Sequence, residues 1–141
     1  MPDVHLKAIL RAEVAARAQR CCEYCRAQEK FSPDSFSIEH ITPVSGGGSS
    51  ESDNLANSCQ GCNNRKYVSV GAVDTLTGEL VALYHPRQQQ WSDHVAWNED
   101  FTVVIGLTPT GRATVEKLHL NRRGLVNLRR VLFELHEHPP K

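Results

Sequence analysis

No apolar run in this 141-residue sequence approaches the roughly 20 residues a helix needs to cross a bilayer. Residues Met1 to Leu10 alternate charge with aliphatics and lack the apolar core of an export signal, so a cytoplasmic location is expected. Internal repeats are missing, and the one low-complexity tract, Ser45 to Ser50 (SGGGSS), is too short to separate domains. The composition is not extreme either: 40% hydrophobic and 23% charged residues exclude intrinsic disorder, collagen and coiled coil. A folded, soluble protein with one domain spanning 1–141 is therefore expected. A chain of this length can bury roughly 68–70% of its unfolded surface. Nothing in the composition speaks to the oligomeric state.

Net charge is also missing, since 16 basic residues balance 16 acidic ones. A zero sum would argue against nucleic acid, but the charge is unevenly spread. Residues 71–110 hold one base, Arg87, and five acids, whereas residues 111–130 hold six bases (Arg112, Lys117, Arg122, Arg123, Arg129, Arg130) against Glu116. A stretch with that excess can attract phosphate even within a neutral protein, and the competing reading is a solvated helix face.

With no export signal, the five cysteines are poor disulfide candidates. Their spacing points to metal. Cys22 and Cys25 form one C-x-x-C and Cys59 and Cys62 another, and four thiolates in two such knuckles suit tetrahedral zinc. The competing reading is redox-active or simply buried cysteines. Cys21 is left without a ligand role.

The coarse element pattern is α+β. Leu6, Leu10 and Val14 recur at four-residue intervals in an N-terminal helix from Asp3, its cap, to about Gln19. Phe36 to Ile41 reads as a short strand with Phe36, Ile38 and His40 on one face and Glu39 on the other, ended by Pro43. Asn54 to Ser58 returns the chain to the second knuckle, and Asn63 to Tyr67 opens a short helix. Further on, Thr77-Gly78-Glu79 reads as a hairpin turn and Leu80 to Tyr84 as its following strand. Phe101, Val103, Ile105 and Leu107 alternate as the apolar face of a half-buried strand. Two helices close the chain, one from about Gly111 to Leu118. The other is capped by Asn121, with Leu125, Leu128, Leu132 and Leu135 on one face. Trp91 and Trp97, with His85 and His94, read as packing residues, and His5, His119, His136 and His138 as solvated ones.

Between and after the knuckles the motifs fall in one order: Ile38-Glu39-His40-Ile41, Pro43, the glycine loop, Asn54-Leu55, then Asn63-Asn64-Arg65-Lys66. Residues 22–66 in this pattern resemble the HNH endonucleases, whose active site is a ββα-metal (His-Me) finger. The remainder resembles, more softly, the C-terminal extension of a bacterial branch of that family: Asp74-x-x-Thr77-Gly78-Glu79, His85-Pro86-Arg87, Trp91 and Gly111 to Thr114. That places a zinc-stabilised nuclease core at 20–67 and an extension at 68–141. The resemblance implies a metal-dependent endonuclease acting on DNA. It assigns Glu39 and Asn63 to a catalytic divalent cation, His40 to the general base, and Asn54 to orienting His40 and tying down the hairpin loop. The alternative is a zinc-stabilised DNA-binding module that does not cut, and a further one an interaction protein in which the knuckles replace a small core.

The chemistry of the residues agrees. Phosphodiester hydrolysis needs an activated water, a cation against the charge building on phosphoryl and leaving oxygens, and donors that hold the backbone in line. An imidazole can take the proton from water, and the carboxylate of Glu39 and the amide oxygen of Asn63 are hard ligands. The family often has His where this sequence has Asn63, a change that favours Mg2+ or Mn2+ over Zn2+ at that site. Glu39 stands where Asp is common, and the extra methylene changes its reach by roughly 1.5 Å. Arg65 and Lys66 on the short helix, and Arg122 and Arg123 at the start of the last helix, are the expected phosphate contacts.

Overall fold

The computed structural model describes residues 7–141. The cap at Asp3, the first apolar position Leu6 and His5 lie outside the described residues. The first helix, α1, runs Ala8–Arg17 and buries Val14 and Ala15. The chain then turns through the first cysteine pair and enters an antiparallel hairpin, β1 (Ser37–His40) and β2 (Leu55–Ser58), in the register Ser37 to Ser58 and His40 to Leu55. Arg17 pins α1 to this hairpin by donating to the carbonyls of Ser52 and Leu55, both at 2.7 Å. Helix α2 (Gln60–Lys66) follows at once and completes a ββα unit. It begins three residues earlier than the sequence suggests, because the Cys59 sulfur accepts from Cys62 N and caps it.

The extension opens with a second hairpin, β3 (Gly71–Val73) and β4 (Leu80–Ala82). Its turn explains the Asp74 motif. Asp74 accepts from Leu76 N and Thr77 Oγ1, Gly78 takes the positive φ of 78°, and Arg112 closes a bidentate pair on the same carboxylate with both contacts at 2.9 Å. That guanidinium holds the Asp74 carboxyl well below the usual carboxylate range. A short helix, α3 (Trp91–His94), and a third hairpin, β5 (Val95–Trp97) and β6 (Val104–Gly106), lead to α4 (Pro109–Lys117), capped by Thr108, and α5 (Arg123–Glu134).

Four expectations here are corrected. The strand at 101–107 is confined to β6, and its buried face carries Val104, while Ile105 is 46% exposed. The cause is a turn: Phe101 has φ 62°, and the Asn98 side chain accepts from Thr102 N and Val103 N, so strand pairing starts late and with the other face inward. Asn121 does not cap α5. Its amide bridges both backbone groups of Val104, at 2.7 and 2.9 Å, and Arg122 takes the cap position. As a result α5 buries Leu125, Arg129 and Leu132 and leaves Leu135 exposed. His138, expected in solvent, is buried edge-on against Trp97 and bonded to the Phe101 carbonyl.

One apolar cluster draws on both parts of the chain, from Cys22, Tyr24 and Ala56 to Tyr84, Val104, Leu118 and Leu125. Polar links join them as well. Arg87 pairs with buried Glu23, and Trp91 Nε1 donates to Tyr24 O at 2.9 Å. Among the described residues no helix is long and apolar enough to cross a membrane.

Candidate metal centre and active-site cleft

The two knuckles bring Cys22, Cys25, Cys59 and Cys62 together, with all four sulfurs within 4.8 Å of one another and all four residues buried. Each pair shows the same local device: Cys25 N points at Cys22 Sγ (3.5 Å) and Cys62 N at Cys59 Sγ (3.4 Å). With Zn–S bonds of about 2.3 Å, sulfurs around a tetrahedral zinc stand about 3.8 Å apart; Cys25 and Cys59 are 3.7 Å apart. The donor set fits a zinc ion closed off from solvent, with no position left for a substrate. Cys21 faces elsewhere, its thiol on Gln19 O.

Beside the cysteine cluster, β1 and α2 line an open cavity of about 290 Å3 with Glu39, His40 and Asn63, bounded by Pro43, Val44, Tyr67 and Val68. The alternation of β1 sends His40 and Glu39 to opposite faces. His40 is half-buried, and its Nε2 lies 2.9 Å from Ser50 Oγ. Sequence reasoning missed Ser50, whose one signal was its place at the end of the glycine loop. Asn54 makes no hydrogen bond to the imidazole. Its amide accepts from Thr42 N (2.9 Å) and donates to Thr42 O (2.9 Å) and Ser49 O (2.7 Å), which clamps the loop between β1 and β2. Gly48 is required there, because a Cβ would sit 1.9 Å from the Thr42 carbonyl oxygen.

Glu39 is buried on the core face, where the Tyr24 hydroxyl donates to it and the Lys66 ammonium lies 3.3 Å away. Burial pushes its carboxyl above the ordinary value, against the pull of Lys66 and Tyr24. Lys66, expected on phosphate, is therefore corrected: its side chain is 1% exposed and its ammonium bonds Ile41 O at 2.8 Å as well as Glu39. Its spacing in the short helix gave no sign of this, because α2 starts early and turns that position inward. Lys66→Met should strand a buried carboxylate, a loss of about 3–5 kcal/mol. Denaturant unfolding checks this, and the salt dependence of DNA binding should stay as in wild type.

The other expected phosphate contacts divide. Arg65 and Arg123 are exposed. Arg122 is corrected, because its guanidinium donates to Cys59 Sγ at 3.4 Å and to Cys62 Sγ at 3.7 and 3.8 Å, so it faces the metal centre.

Comparison with curated proteins gives no match, and neither does comparison with solved structures. Residues 22–69, which hold both cysteine pairs, the hairpin and α2, match the family model of the HNH endonuclease, so this third of the chain carries the similarity and with it the implication of a nuclease or DNA-binding role.

Proposed function

We propose that this protein is a metal-dependent endonuclease that hydrolyses DNA phosphodiester bonds in the cleft between β1 and α2. The observation that carries the reading is an open cavity lined by His40 and Asn63 and bordered by Glu39, whose carboxylate is turned to the core face, beside a hairpin and helix anchored by four buried cysteines. A hard divalent cation, Mg2+ or Mn2+, fits this donor set: Asn63 offers an amide oxygen, and Glu39 keeps lone pairs beyond those taken by Tyr24 and Lys66. When bound, such a cation offsets the negative charge that develops on the phosphoryl and leaving oxygens.

The chain's own residues do the rest. His40 Nε2 is held by Ser50 Oγ, and in the tautomer with Nε2 as donor the ring offers Nδ1 as the general base that takes a proton from the attacking water. Asn54 holds the loop that carries Ser50, so the imidazole and its partner keep their separation as substrate enters. Lys66 balances the Glu39 charge from within, which lowers the net negative charge offered to a cation and should make the metal requirement high. Arg65, on the exposed turn of α2, is placed to hold the DNA backbone.

Supercoiled plasmid incubated with the zinc-loaded protein should be converted to nicked or linear forms when Mg2+ or Mn2+ is added and should remain intact without them. A plasmid bound but left intact with every divalent metal tried would favour a DNA-binding module instead.

A further inference from the structure

We infer that Arg122 is a positioning residue for the zinc centre: its guanidinium, carried by the turn into α5, stands as a cation over the Cys59 and Cys62 sulfurs and sets how firmly the metal is retained. This rests on the reading of the four cysteines as a zinc site. A zinc ion with four thiolates carries two net negative charges, and here the sulfurs are buried where water cannot solvate them. Arg122 supplies three N–H contacts to two of them, at 3.4, 3.7 and 3.8 Å. The same guanidinium is fixed from behind by the carbonyls of Leu118 and His119, each at 3.2 Å, at the end of α4. Two backbone carbonyls thus hold it against the two sulfurs.

The sequence of the second knuckle accommodates this placement. Gly61 lies between the two cysteines of the second knuckle, inside α2, where glycine is a poor helix former. A Cβ at that position would stand 2.4 Å from Arg122 Nη2 and 2.8 Å from its Cζ. The glycine leaves the space that the guanidinium occupies. Arg129, about two helical turns further along, reaches the first knuckle through the Cys25 carbonyl at 3.5 Å, so α5 and its N-cap address both halves of the metal centre.

Hydrogen bonds to a ligating thiolate draw charge from sulfur, which lowers its basicity and its reactivity while the metal bond persists. The C-terminal extension thereby acts on the stability of the metal site inside the HNH segment, through a residue 60 positions from Cys62.

Zinc release from the loaded full-length protein to a chromophoric chelator tests this. Arg122→Met should release zinc at least tenfold faster than wild type, with Arg122→Lys in between, because it keeps the charge and loses the fork. Gly61→Ala should also release zinc faster, although alanine is the better helix former, since its methyl group displaces a flexible side-chain end and leaves the backbone in place. Cobalt-loaded protein gives a readout that general destabilisation does not move: the sulfur-to-cobalt charge-transfer band should shift in Arg122→Met and Gly61→Ala. Zinc release at the wild-type rate with an unshifted band in both variants would overturn the inference. Wild-type protein that holds no zinc would overturn the metal reading and this inference with it.

Discussion

Removing the metal should unfold the β1–β2–α2 unit outright. Structural zinc in small cysteine sites contributes about 10–16 kcal/mol of apparent binding free energy, as large as the roughly 5–15 kcal/mol that separates a typical folded domain from its unfolded state. In this chain the four sulfurs are part of the core itself, packed with Tyr24, Ala56, Leu118, Leu120 and Leu125. Without a cation the set is poorly satisfied. Four buried sulfurs then crowd together, with Cys25 and Cys59 3.7 Å apart and few donors beyond the Cys25 and Cys62 amides and Arg122 to satisfy them. Loss of metal should therefore reach the extension too, through Arg122 and Arg129. The measurement is circular dichroism and thermal unfolding after dialysis against a strong chelator, beside Cys22→Ser and Cys59→Ser. Cys21→Ser is the control, because that thiol lies outside the cluster and should leave the melting curve unchanged. Metal-free protein that melts as cooperatively and as high as the loaded form would remove the zinc assignment.

How much of this could be read in advance depended on the range of the interactions. The knuckles, the hairpin around the glycine loop and the alternation of Glu39 and His40 are local, and residue spacing carries them. The direction of Lys66 and Arg122 is not local. Each is a basic residue on or beside a helix, the usual sign of a solvated or phosphate-facing charge. Each is turned inward by a partner far along the chain: Glu39 for the first, Cys59 and Cys62 for the second. The strand at 101–107 failed for a related reason. Four alternating apolar residues gave the period, but the Asn98 side chain and the amide of Asn121 chose which face turns inward. Ser50 was hidden because a loop serine looks like a linker residue until the clamp at Asn54 folds it back on His40.

Replacing His40 by alanine should abolish cleavage while leaving the fold, the zinc content and the affinity for DNA close to wild type. The imidazole is half-buried at the cavity edge, contacts Ser50 and takes no part in the apolar cluster, so little packing is lost with it. A general base acts only as the proton leaves the attacking water, and its loss falls on the chemical step, by roughly 10²- to 10⁴-fold. In the proposed reading DNA is held by exposed cations such as Arg65, which His40→Ala leaves untouched. Asn63→Ala should behave differently, raising the Mg2+ or Mn2+ concentration needed for half-maximal rate because it removes the proposed oxygen ligand. Ser50→Ala should cost less than His40→Ala, since the ring remains and loses only its orientation. Single-turnover cleavage with filter-binding of the same DNA separates these effects. A His40→Ala protein that cuts as fast as wild type would move the base to another residue.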